Sequence, residues 1–248
     1  MVHLAPLPGA PLYDGSLADV LARALADAEA LAAGGVDAIA IENFGDRPFR
    51  KNRVEPETIA AMTRVITEIA RSAAVPFGVN VLRNDASAAL AIAAATGAAF
   101  IRVNVHTGAV VADQGVIEGE AAETLRRRAA YAPQVLIFAD HEVKHAMPLV
   151  PHDPLQSARD LRLRGLADVL VVSGHETGSP ADPSRCDRLR AALPHVPLVI
   201  GSGLTAENAS AYPDMDGAIV GTSVKRGGEV SSAVDRERVA AVVAAFRR

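Results

Sequence analysis

Two aliphatic runs in this chain end in small, glycine-bearing turns. One is Leu198-Val199-Ile200-Gly201-Ser202-Gly203; the other is Gly217-Ala218-Ile219-Val220-Gly221-Thr222-Ser223, followed closely by Lys225. Glycine lets backbone amides close on an anion, and a helix start adds partial positive charge. Such turns suit a phosphate, held by Gly201, Ser202, Gly203, Gly221, Thr222 and Ser223 with Lys225 assisting. The densest titratable run is Asp140-His141-Glu142-Val143-Lys144-His145. Its two acids and two histidines could ligate a divalent metal. Lys144 could serve as a general acid or Schiff-base amine if a dry pocket lowered its pKa, or pair with Asp140 or Glu142. In Ser173-Gly174-His175-Glu176-Thr177-Gly178, small and hydroxyl residues suit a loop folded over a ligand, and His175 could transfer protons near neutral pH.

These residues need a scaffold that gathers them. Short aliphatic runs alternate with helical patterns along the whole chain, the signature of a parallel α/β protein. Strands are predicted at 2–7, 38–43, 77–82, 100–105, 135–139, 168–173, 198–201 and 217–221. Eight is the number of a (β/α)8 TIM barrel, and nothing divides the chain, so residues 1–248 are expected to form one domain. An open doubly wound sheet is the rival, but the glycine fingerprint after a first strand is missing. Ser16 should cap a helix with Leu17, Val20, Leu21, Ala24, Leu25, Ala28 and Leu31 on one face, ended by Gly34-Gly35. Asp235 should cap the last helix. In a barrel, the loops after the last two strands are a common phosphate site.

Strand alternation then predicts which polar groups point inward. Ile101, Val103 and Val105 form a helix-facing row, which turns Arg102, Asn104 and His106 toward the axis. Ile39 and Ile41 place Glu42 inward at the mouth, the third strand contributes Asn80, and the fifth Asp140. A buried charge must be paired, and Glu42 is the expected partner of Arg102. A structural ion pair is the alternative to catalysis for these two. Thr107 to Gly119 is long for a βα loop and reads as a mobile lid. Arg47, Arg50, Lys51 and Arg53 form a basic knot that is either a solvated surface or a steering element for an anionic substrate.

Composition narrows the partners. With 25 basic and 29 acidic side chains the net charge is -4, which argues against a whole-domain affinity for nucleic acid or anionic lipid. The single cysteine, Cys186, excludes an intrachain disulfide and a cysteine-held zinc. No integral membrane segment and no signal peptide are expected, so the cytoplasm is the default location. The alanine-rich helices leave a homo-oligomer open. Zinc hydrolase barrels usually carry a His-x-His pair on the first strand, whereas His3 stands alone, so a metal-dependent hydrolase is the weakest reading and no cofactor is predicted.

Several stretches resemble the BtpA/SgcQ family. They are Met1-Val2-His3-Leu4-Ala5-Pro6-Leu7-Pro8-Gly9, Ile41-Glu42-Asn43-Phe44-Gly45-Asp46-Arg47-Pro48-Phe49, Gly78-Val79-Asn80-Val81-Leu82-Arg83-Asn84-Asp85, Asp113-Gln114-Gly115-Val116-Ile117-Glu118-Gly119, Val143-Lys144-His145-Ala146, Val172-Ser173-Gly174 with Thr177-Gly178, and Gly221-Thr222-Ser223-Val224-Lys225. They cover nearly the whole chain in order. The resemblance implies a phosphate-binding TIM-type barrel. The family's name comes from a role in accumulating photosystem I, while members outside photosynthesis, near sugar-metabolism genes, imply an older small-molecule activity. Relatives usually carry a short lead-in before the His3-Leu4 motif.

Three functions follow as expectations. The first is an enzyme on a phosphorylated sugar or nucleoside-like substrate, with isomerase- or lyase-like chemistry divided among Glu42, Asp140 and Lys144, and with Asn80, Arg102, Asn104, His106, Ser173 and His175 contacting the substrate. The second is a non-catalytic photosystem I assembly factor, which needs an exposed apolar face. The third is the metal-dependent hydrolase. The first is preferred, because inward polar residues are costly to keep without use and aromatics, at 4%, offer few interface anchors.

Overall fold

A computed structural model describes residues 1–247. Its strands and helices, numbered in chain order, are β1 (Val2–His3), α1 (Leu17–Ala33), β2 (Ile39–Glu42), α2 (Pro56–Ser72), β3 (Phe77–Asn80), α3 (Ala86–Thr96), β4 (Phe100–Val103), β5 (Ala109–Ala112), β6 (Gly115–Glu118), α4 (Ala121–Tyr131), β7 (Leu136–His141), β8 (Ala146–Pro148), α5 (Pro154–Leu163), β9 (Val169–Val172), α6 (Pro183–Ala192), β10 (Leu198–Ile200), β11 (Gly217–Ala218) and α7 (Arg236–Phe246). Eight strands pair in parallel in the order β1-β2-β3-β4-β7-β9-β10-β11, each at one of the predicted positions. The sheet is curled. Its end strands do not share a ladder, but the Met1 amino group donates to the Val220 carbonyl at 2.8 Å. After β10 a single 3-10 turn, Ala209–Ala211, replaces a full helix.

Local signals account for the helices. The Ser16 hydroxyl accepts from the Asp19 amide and Gly34 ends α1; Asp235 accepts from two amides at the start of α7. The outer core lies between sheet and helices, with Ile39, Ile41, Ile101, Ile137, Leu170 and Ile200 all fully buried. The concave face is layered. Ala40, Phe100, Val169, Val171 and Val199 fill its lower part, with Phe100 and Phe138 stacked at 4.6 Å. Gly78 makes room for them, since a Cβ there would lie 2.3 Å from the Phe100 ring. Two residues further along the strands the same face turns polar: Glu42 follows Ala40, Asn80 follows Gly78, Arg102 follows Phe100, Asp140 follows Phe138, and Ser173 follows Val171. The period of two thus carries each strand from an apolar floor to a polar mouth.

The segment read as a lid forms a hairpin. β5 and β6 pair antiparallel, and β5 also pairs with β8 from the loop after β7, making a three-stranded sheet. No described helix is long and apolar enough to cross a membrane.

Candidate functional site

Arg102 does not reach Glu42. Its Nε and Nη2 donate to Asp140 at 3.0 and 2.9–3.2 Å, and Asn104 Nδ2 donates to the same carboxylate at 2.7 Å. The reason is position around the sheet. Asp140 stands on the adjacent strand β7, whereas Glu42 on β2 lies beyond β3, whose Asn80 amide donates to Glu42 Oε2. His3 Nε2 is 3.7 Å from Glu42 Oε1, but burial pulls the His3 pKa well down, so this contact is dipolar rather than an ion pair. Several buried polar atoms of this layer have no partner within the protein: Asn80 Oδ1, Asn104 Oδ1, Ser173 Oγ and His3 Nδ1. Buried polar groups are normally satisfied, so four unpaired atoms in one mouth mark a place that meets a ligand or solvent.

The two glycine turns line one cavity. Gly201, Ser202, Gly203, Gly221 and Thr222 enclose a niche of about 40 Å³ with Thr177, Gly178, Glu42, Arg102 and Lys144. That volume is roughly three water positions, the scale of a phosphoryl group. Gly203 has φ +69°, and a Cβ there would lie 2.3 Å from Pro180 N. Two hydroxyls assigned to the anion are engaged elsewhere. Ser202 Oγ accepts from Gly174 N at 3.0 Å and donates to Ser179 O at 2.9 Å, while Ser223 Oγ donates to Leu204 O at 2.6 Å. Lys225 is also elsewhere: it is fully buried, with Nζ 2.8 Å from Asp27 Oδ2. Asp27 lies on α1, far earlier in the chain, so spacing near the turn carried no sign of this pair.

The niche opens into a cleft of about 630 Å³ lined by Glu42, Phe44, Arg47, Phe49, Arg83, Arg102, Asn104, Asp113, Lys144 and Thr222 among others. Lys144 belongs to both. It makes no ion pair or side-chain hydrogen bond among the described residues, and burial, reinforced by the nearby Arg102 charge, brings its pKa down to about 8. The rest of its run scatters. His141 bonds Pro154 O at 2.9 Å and Arg185 at 3.0 Å, with burial lowering its pKa to about 4. Glu142 pairs with Arg185, and His145 Nε2 lies 3.2 Å from Thr177 Oγ1. Among the described residues no three His, Cys, Asp or Glu side chains converge as a metal site would need.

His106 and His175 lie outside the mouth. The strand ends at Val103, so alternation no longer governs residue 106, and His106 Nε2 bonds Gly165 O at 2.8 Å. His175 is exposed and lines an adjoining chamber of about 610 Å³ beneath the hairpin, which shares Asn104 with the cleft described above. Of the basic knot, Arg53 joins Asp85 and Glu120, while Arg47 lies 5.4 Å over the Phe44 ring at the cleft. Residue-by-residue reasoning missed Arg83, His3, Phe44 and Thr177. For Arg83 a signal existed, namely an Arg-Asn-Asp run at the C-terminal end of a strand, where a barrel keeps its chemistry.

The BtpA family model matches residues 1–248. Photosystem I biogenesis protein BtpA of Synechocystis sp. is 45% identical over 247 residues, covering 99% of this chain and 86% of that protein. The putative sgc region protein SgcQ of Escherichia coli is 34% identical, covering 96% and 90%. Among solved structures, phosphoribosyl anthranilate isomerase in complex with reduced 1-(o-carboxyphenylamino)-1-deoxyribulose 5-phosphate is similar in fold, with TM-score 0.58, 14% identity, and 90% and 93% of the two chains covered.

Proposed function

The chain belongs to the BtpA family, and for this member we propose an enzyme that holds a phosphorylated sugar or nucleoside-like molecule in the mouth of a closed (β/α)8 barrel and acts on its carbon skeleton by acid–base chemistry of the isomerase or lyase kind. The phosphate sits in the niche between Gly201–Gly203 and Gly221-Thr222, on backbone amides and the Thr222 hydroxyl. The solved isomerase whose fold is similar is bound to a 5-phosphate, which supports a phosphorylated ligand. The carbon skeleton lies in the cleft over Glu42, Asn80, Asn104 and Lys144.

One observation carries the reading: Lys144 stands unpaired where niche and cleft join, with its pKa near 8 and the Glu42 carboxylate lining the same two spaces. An amine poised near neutral pH can give or take a proton, and a carboxylate fixed by Asn80 can take the complementary role. Asp140 is better assigned as a positioning residue, since its oxygens are engaged by Arg102 and Asn104. Ribose 5-phosphate present at one hundred times its Kd should stabilise the protein by about 2.7 kcal/mol, which at roughly 2 °C per kcal/mol is a rise in Tm of ~5 °C. Lys144→Met should keep that shift and lose turnover. Sugar phosphates that stabilise no more than equal sulfate would end this reading.

A second reading, a binding role of the kind named for the Synechocystis relative, is favoured by Met147, Leu149, Val150 and Val111, which are exposed together around the three-stranded sheet. Under it, Met147→Glu with Val150→Glu abolishes partner binding and Lys144→Met leaves it intact.

A further inference from the structure

We infer that the ligand carries, besides its phosphate, a carboxylate that Arg83 receives in the cleft beyond the niche. The inference rests on the phosphorylated-ligand reading and narrows it to phosphorylated acids. Arg83 lines the cleft and not the niche, so the two anionic groups would occupy different walls. Its residue is only 6% exposed, yet it forms no ion pair with any described carboxylate. Asp113 lines the same cleft from the hairpin without pairing with it. Nε is buried with no partner in the protein, Nη1 makes no hydrogen bond, and Nη2 alone is engaged, donating to Lys144 O at 2.6 Å. Asp140, Asp113 and Glu42 act on its charge from nearby, but burial outweighs them and none of them pairs with it, so the direct counter-ion that a buried guanidinium needs is left for a ligand to supply.

The side chain is aimed by a clamped backbone. Arg83 N donates to Arg50 O and its carbonyl accepts from Asn52 N, both at 3.1 Å. On one side Leu82 N donates to Asn43 Oδ1 at 2.7 Å; on the other, the Asn84 amide bonds both backbone groups of Val105 at 2.7 and 3.0 Å. None of these contacts draws on the guanidinium, so its Nη1–Nη2 edge, engaged at a single Nη2 hydrogen, remains for the cleft. Nη1 and the second hydrogen of Nη2 form the end-on fork of the guanidinium, which matches a carboxylate, and a charge-assisted pair of this kind is the strong class of hydrogen bond.

The test uses matched ligands on the full chain by calorimetry: 6-phosphogluconate against glucitol 6-phosphate, and 3-phosphoglycerate against glycerol 3-phosphate. Each pair exchanges only a carboxylate for a hydroxymethyl group. In at least one pair the acid should bind about tenfold tighter or more. Arg83→Gln should erase that difference while leaving the alcohol within about twofold, and Arg83→Lys should restore part of it. If the alcohols bind and the acids gain nothing, the carboxylate assignment is wrong and the phosphate site stands. If neither member of either pair outbinds inorganic phosphate, both readings fall. If fructose 1,6-bisphosphate shows the same Arg83-dependent gain as the acids, the second group is not specifically a carboxylate. The wild-type comparison keeps the inference falsifiable even if the Arg83 variants fold poorly.

Discussion

Replacing Lys225 with methionine separates a structural lysine from a ligand-binding one. Its Nζ lies 2.8 Å from Asp27 Oδ2, and the two side chains are 0% and 2% exposed. Asp27 Oδ1 also accepts from Val234 N at 2.7 Å, so the pair ties α1 to the segment entering α7. Lys225→Met leaves the Asp27 carboxylate in the interior with one neutral donor. Breaking one side of a buried, hydrogen-bonded ion pair costs about 3–5 kcal/mol. For a chain of this size Tm moves by roughly 2 °C per kcal/mol, giving an expected fall of ~6–10 °C by differential scanning calorimetry. Adding Asp27→Asn removes the orphaned charge while keeping an oxygen for Val234 N, and should recover most of the loss. Phosphate-ligand affinity of the folded single variant should stay within about twofold of wild type, because Lys225 does not line the niche. A melting point within 2 °C of wild type, or a folded variant that no longer binds phosphate, would refute the assignment.

Gly203→Ala forces a Cβ against the Ser179–Pro180 backbone at a φ of +69°, so it should cost roughly 1–3 kcal/mol and abolish phosphate-dependent stabilisation. Gly97→Ala, also at positive φ but with open space around its Cβ, should cost about 1 kcal/mol and leave ligand shifts intact. Because the Lys144 pKa is depressed to about 8 from 10.5, the unfolded chain binds more protons between those values, and wild-type stability should rise with pH across that window relative to Lys144→Met. A difference of about 3 kcal/mol in urea unfolding is expected across that window, and parallel pH profiles would show that Lys144 is not desolvated.

The inward residues were legible wherever a strand stayed regular. Ile101 and Val103 on the outer face fixed Arg102 inside, and the apolar runs marked all eight strands. What alternation lacks is azimuth. It says that Arg102 and Glu42 share a face, but not that Asn80 stands between them while Asp140 is the neighbour. Past the strand end even the face is lost, as His106 demonstrates. Lys225 was opaque for a different reason, since its partner sits on the first helix and nothing local encodes a contact of such sequence separation. Ser202 and Ser223 have the right residue types in the right turns, yet their hydroxyls tie loops together instead of facing the niche.

The hairpin ladder has a consequence for exchanging parts between relatives. β8 begins two residues after Lys144, and its Ala146–Pro148 register is set against Val110–Ala112 of a hairpin inserted after a different strand. A one-residue change of length in either insertion would slip that register and reverse which way every β8 side chain points, twisting the backbone that carries Lys144. The two insertions are therefore one transplantable unit: a chimera that swaps the hairpin alone should misplace the amine, whereas one that swaps both together should keep it.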